Sequence, residues 1–153
     1  MRDSLISHIA LPDLSSVSGF GKRIANALQA GDVVALSGPL GAGKTTLARA
    51  ILAGLGYQGE VPSPTFTILE TYLPPAVRLP VVHADFYRLT SSDEVEELGL
   101  SDYREDAAML AEWPDKAGGF ANENGYIGID LTIQGEGRAV RIKRGAGWRE
   151  REF

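Results

Sequence analysis

The sequence contains no cysteine. Disulfide bonding, thiolate catalysis and cysteine-based zinc sites are thereby excluded. No apolar run approaches the length that crosses a bilayer. The segment Met1–His8 lacks the apolar core of a signal peptide. Together these absences point to a cytoplasmic protein with no membrane association. An excess of positive charge is also missing: 15 Lys and Arg stand against 20 Asp and Glu, for a net charge of −5. Binding of nucleic acid by this chain alone is not expected from such a balance. Internal repeats and low-complexity tracts are absent too. What remains is a chain of 153 residues with 44% hydrophobic content, enough for one core. A single domain over residues 1–153 is expected, with 145–153 as a flexible tail.

Against this background one segment stands out. Residues Gly38-Pro39-Leu40-Gly41-Ala42-Gly43-Lys44-Thr45 match G-x-x-x-x-G-K-[ST], a phosphate-binding loop. Its glycines let the backbone wrap closely around phosphates and aim N–H groups inward. Lys44 has the reach for the β- and γ-phosphates, and the Thr45 hydroxyl suits a Mg²⁺ ligand. The flanks agree. Asp32 to Ser37 reads as a short buried strand, and Thr45 to Ala53 as a helix with Leu47, Ala50, Ile51 and Leu55 at helical spacing. The helix start adds its positive dipole end beneath the anion.

Further along, Ile6–Leu11 reads as a strand, and Pro12 to Ser16 as helix-start chemistry for a helix reaching about Ala30. Pro64 to Tyr72 is expected as a strand, and Leu73 to Ala76 as a turn. Leu79 to Asp85 and Ala107 to Glu112 are apolar runs ending in an acid, and Ser92 to Leu98 is a short acidic helix. Ile127 to Gln134 and Arg138 to Arg144 flank Gly135-Glu136-Gly137, a hairpin signal. The pattern predicts an α/β, P-loop NTPase-like three-layer sandwich with a mixed, centrally parallel sheet.

Binding phosphate is not hydrolysis, which also needs a metal clamp and a positioned water. Ligands of open α/β sheets sit at the carboxyl ends of strands. Asp85 and Glu112, each ending an apolar run, are therefore the candidate acids for Mg²⁺ or for the attacking water. His83 shares a strand face with Asp85 and can orient it or a water, or serve as a structural hydrogen-bonder. Thr65, in Pro62-Ser63-Pro64-Thr65-Phe66, can touch the γ-phosphate as a switch-like loop does, or merely start a strand. Trp113 can stack on a base or pack. Arg88 suits a phosphate or partner contact, or a surface ion pair. Six basic residues crowd the end of the chain: Arg138, Arg141, Lys143, Arg144, Arg149 and Arg151. Alternation turns Val140 and Ile142 inward and Arg141 and Lys143 outward. The basic face is read as an exposed strand face or as a patch for a partner or RNA.

The combination resembles the TsaE family. The matching segments are the loop Gly38–Thr46, Ser63-Pro64-Thr65-Phe66, His83-Ala84-Asp85-Phe86-Tyr87-Arg88-Leu89, Glu97-Leu98-Gly99-Leu100 and Glu112-Trp113-Pro114. The resemblance runs from about Leu11 to Arg144. It implies a Mg²⁺-dependent ATPase working with TsaB and TsaD in threonylcarbamoylation of adenosine 37 in tRNAs reading ANN codons, with tRNA met through that complex. It also implies site roles. Lys44, Asp85 and Glu112 act in catalysis. Gly38, Leu40, Gly41, Ala42, Gly43, Lys44, Thr45, Thr46 and Thr65 surround ATP. Thr45, Asp85 and Glu112 hold the metal. The family commonly has an acid after the first loop glycine. This chain has Pro39, which offers no backbone donor. The rival is a P-loop small-molecule kinase, needing an acceptor pocket and an arginine-bearing lid, for which Thr90 to Asp106 is the available segment. A guanine-reading N-K-x-D segment is absent.

Overall fold

A computed structural model describes residues 6–64 and 68–153. Its elements, in chain order, are β1 (Ile6–Leu11), α1 (Leu14–Ala27), β2 (Val33–Ser37), α2 (Lys44–Gly54), β3 (Leu69–Tyr72), β4 (Val81–Asp85), α3 (Glu94–Glu97), α4 (Leu100–Arg104), β5 (Ala108–Glu112), β6 (Tyr126–Gln134) and β7 (Gly137–Arg144). Single turns of 3-10 helix lie at Pro114–Ala117 and Ala146–Trp148.

The strands form one sheet in the order β1-β7-β6-β2-β5-β4-β3. The four central strands β6, β2, β5 and β4 run parallel. Antiparallel β7 and β1 extend one side, and antiparallel β3 the other. The expected mixed, centrally parallel sheet is therefore present. Its central strands are buried on both faces, which explains why β2, β4 and β5 read as near-continuous apolar runs. On one face Val34, Leu36, Leu110, Ile129 and Val140 pack against Phe20, Ile24, Leu47 and Ile51 of α1 and α2. On the other, Val33, Val82, Ala84 and Met109 meet Phe86, Leu89, Leu100 and Phe120. Each buried Val, Leu, Ile, Phe or Met side chain among these contributes about 1.5–3 kcal/mol relative to exposure.

Local chemistry sets the helix starts. Asp13 accepts from the Ser16 N–H while the Ser16 hydroxyl oxygen accepts from the Asp13 N–H, a reciprocal cap for α1. The helix ends at Ala27, short of Ala30, because Leu28 is extended. Apolar residues at 17, 20, 24 and 28 face the sheet.

Three expectations differ from the structure. The strand expected from Pro64 starts only at Leu69: Pro64 lies in a turn, and Ile68 has φ 69°, incompatible with extended backbone. Thr65 and Phe66 lie outside the described residues. Helix α4 was not expected, since five residues carry no readable periodicity. The segment 145–153, expected as a flexible tail, is packed. Trp148 is fully buried, and its indole N–H donates to the Gly125 carbonyl at 2.9 Å. Phe153 stacks edge-on against Trp148 with ring centroids 5.6 Å apart. Two large aromatic rings outweigh the loosening effect of Gly145 and Gly147.

Candidate functional site

The phosphate loop joins the end of β2 to the start of α2, over the carboxyl edge of the parallel strands. Two glycines make its path possible. Gly38 has φ 139°, and a Cβ there would collide with the Leu131 carbonyl oxygen. Gly43 caps α2 with φ 100°, a left-handed conformation unfavourable to other residues. Gly43 has no side chain with which to cap this helix start. The first-turn N–H groups of α2 therefore face the cleft with the positive end of the helix dipole. Leu40 sits at the loop tip, 66% exposed.

Lys44 is buried, and its ammonium donates to the carbonyls of Gly38 at 2.7 Å and Pro39 at 3.0 Å. It also lies 4.3 Å from the centre of the Trp113 ring. Burial lowers its pKa, against the opposing pull of the Glu112 and Asp85 carboxylates. Trp113 holds φ 57° immediately after β5 and contacts Tyr87, ring centroids 5.0 Å apart.

Parallel pairing of β4 with β5 sets Asp85 opposite Glu112. The Thr45 hydroxyl hydrogen-bonds to the Glu112 carboxylate, with oxygens at 2.8 and 3.0 Å. On its other side Glu112 lies 2.7 Å from His83 Nε2. His83 thus meets Glu112 on the neighbouring strand. The sequence expectation had offered Asp85, on its own strand, or a water. His83 Nδ1 is buried and has no hydrogen-bond partner among the described residues. Asp85 accepts the Tyr87 N–H at 2.9 Å.

These side chains share one cleft of about 390 Å³, lined by Leu40, Gly41, Lys44, Thr45, Asp85 and Glu112 among others. Lys44, Thr45, Thr46, Asp85 and Glu112 are therefore brought together. Thr65 lies outside the described residues. Sequence reading missed Arg138 as a wall of this cleft. Its guanidinium donates to the Ala42 and Gly41 carbonyls at 2.9 and 3.1 Å. The available signal was strand parity: Arg138 shares the side of Val140 and Ile142, which face the helices. Arg141 and Lys143 point outward, as expected.

A parallel sheet, a glycine-rich loop running into a helix, and acids on the two strand ends beside it define the P-loop nucleotide-binding class. Within that class the kinship is specific. A family model for the threonylcarbamoyl adenosine biosynthesis protein TsaE matches residues 11–142. The tRNA threonylcarbamoyladenosine biosynthesis protein TsaE of Haemophilus influenzae is 41% identical over 146 residues, covering 92% of this chain and 89% of that protein. The protein of the same name from Mycobacterium tuberculosis is 42% identical over 131 residues, covering 81% and 76%. The crystal structure of Bacillus subtilis YdiB superposes with a TM-score of 0.69 at 26% identity, covering 91% of this chain and 85% of that one. The chain belongs to the TsaE family, which serves tRNA threonylcarbamoyladenosine biosynthesis.

Proposed function

We propose that this protein is a Mg²⁺-dependent ATPase that acts with TsaB and TsaD in threonylcarbamoylation of adenosine 37 in tRNAs reading ANN codons. The observation that carries the hydrolytic reading is the linked set Thr45–Glu112–His83 beside Asp85 and Lys44. A hydroxyl and two carboxylates at adjoining strand ends are hard oxygen donors of the kind Mg²⁺ takes. Thr45, Asp85 and Glu112 would hold the ion, which when bound neutralises charge on the β- and γ-phosphates.

The chain's own groups supply the rest. Lys44 leaves the Gly38 and Pro39 carbonyls and meets the γ-phosphate, a stronger charge-assisted partner. The N–H groups at the start of α2, from Gly43 to Thr46, line the phosphates. Glu112, braced by His83, takes a proton from, or orients, the attacking water. Thr65, in the segment after Pro64, is assigned to the γ-phosphate side. Next to Thr46 lies a cavity of about 130 Å³ lined by Leu11, Val17, Ala42 and Leu131 and by the charged residues Asp13, Glu136 and Arg138. Adenine is favoured over guanine only moderately, since the sequence has no guanine-reading segment.

Segment 90–106 gives no support to the kinase alternative. Arg104, the arginine within it, is engaged with Glu123 at 2.6 Å and lies over the Phe120 ring. The test is ATP turnover by the chain alone, with TsaB–TsaD, and with tRNA added. Slow turnover alone and strong stimulation by the partners is the expected result. A rate unchanged by partners, or a phosphorylated small product in place of free phosphate, overturns the reading.

A further inference from the structure

Arg138 is the second residue of β7 and points to the side of the sheet where the phosphate loop lies. Each of its three guanidinium nitrogens donates: Nε to the Ala42 carbonyl at 2.9 Å, Nη2 to the Gly41 carbonyl at 3.1 Å, and Nη1 to the carbonyl of its neighbour Gly137 at 2.9 Å. One planar guanidinium therefore ties two consecutive loop carbonyls to the β6–β7 hairpin, 96 residues away in sequence.

A trans peptide sets each C=O opposite the following N–H. Drawing the Gly41 and Ala42 carbonyls toward Arg138 turns the N–H groups of Ala42 and Gly43 away from it. The Ala42 N–H is used inside the loop, on the Pro39 carbonyl at 3.1 Å. The Gly43 N–H then stands at the start of α2. Lys44 holds two further carbonyls, those of Gly38 and Pro39. Four loop carbonyls are thus held by two cations. Lys44 must give up its pair to meet a phosphate; Arg138 keeps its own. Without Arg138 the carbonyl dipoles of residues 41 and 42 can rotate toward the anion, where they repel it.

We infer that Arg138 is a positioning residue for phosphate recognition: it holds the loop with its N–H groups outward while Lys44 changes partners. The inference rests on the nucleotide-binding reading above. Lysine is a poor substitute, because a single ammonium lacks the fixed fork that spans two carbonyls.

The experiment measures AMP, ADP and ATP binding by the full chain, by displacement of a fluorescent ADP analogue, for the parent, Arg138→Gln, Arg138→Lys and Arg141→Gln. Thermal melting is recorded for each. Loss of two charge-assisted bonds predicts ADP and ATP affinity lowered about tenfold or more in Arg138→Gln. AMP should lose less affinity than ADP, since it offers the loop's N–H groups only the α-phosphate, whereas ADP and ATP offer both the α and the β. Arg138→Lys should recover part of the loss, and Arg141→Gln should match the parent. A merely structural role would lower the melting temperature and weaken all three nucleotides alike, and that result overturns the assignment. So does parental ADP affinity in Arg138→Gln. If that variant does not fold, Arg138→Lys decides by the same comparison of AMP with ADP. A parent that binds no ADP overturns the nucleotide reading and this role with it.

Discussion

The two ends of β2 use the same three kinds of group for opposite purposes. At its start, Asp32 is buried, Arg151 pairs with it at 2.5 and 3.1 Å, and the guanidinium lies 4.4 Å from the centre of the Trp148 ring. Beyond its end, Glu112 is buried, the Lys44 ammonium is near, and that ammonium lies 4.3 Å from the Trp113 ring. A carboxylate, a cation and an indole face thus recur. The first set is closed. Asp32 also accepts the Gln29 N–H at 2.7 Å, and Trp148 is fully buried with its N–H satisfied. The second set is open. It borders a cleft, its lysine holds backbone carbonyls, Trp113 is in a left-handed conformation, and His83 Nδ1 has no partner among the described residues. Satisfied groups lock a structure, whereas partly committed ones remain available to a ligand.

If the open end is the functional one, Lys44→Ala should have the largest effect. Turnover should fall by about a thousandfold or more, the loss associated with removing a cation from phosphoryl transfer. The fold should remain, because a lowered pKa marks the buried charge as a cost to the folded state. Steady-state phosphate release and a melting curve on one preparation check both halves. Parental turnover would remove Lys44 from the site.

Trp148→Ala strikes the closed end. Losing a buried tryptophan should cost about 3–5 kcal/mol of stability. Denaturant titration reads it, and nucleotide affinity below the transition should stay parental. A selective loss of affinity instead would break the separation between the two ends.

Glu112→Gln and Asp85→Asn should slow hydrolysis about a hundredfold, in the range of a lost general base, while weakening nucleotide binding less. Either variant retaining full partner-stimulated turnover is reduced to a strand-end acid. Arg151→Ala leaves Asp32 buried without its cation and should cost about 1–3 kcal/mol. Urea melts at fixed pH measure this, and turnover per folded molecule should not move.

Smallest of all, Arg141→Ala and Lys143→Ala should each change stability by less than about 0.5 kcal/mol, since both are exposed on β7. A larger shift, or loss of partner stimulation, would assign that face a role of its own.

Local pattern made β2, the loop and α2 legible, because each depends on neighbours within a few residues. The same holds for the β6–β7 hairpin and for Asp85 and Glu112 as strand-end acids. Contacts across strands were less legible. His83 was matched by alternation with Asp85 on its own strand, while the structure pairs it with Glu112 across the β4–β5 register. The last nine residues looked loose because two glycines sit among charges. Burial of Trp148, and packing of the partly buried Phe153 against it, depend on where the helix layer lies.

By itself the sequence determined the phosphate loop, its strand and helix, and the chemistry available at the strand ends. Glycine φ values, apolar runs and helix propensity act over a few bonds and need no distant partner. Tertiary structure alone decided that Arg138 grips the loop, that His83 braces Glu112, and that Arg151 closes the opposite end on Asp32. Those contacts link residues from 29 to 119 positions apart. Only the strand order and register bring them within hydrogen-bonding distance.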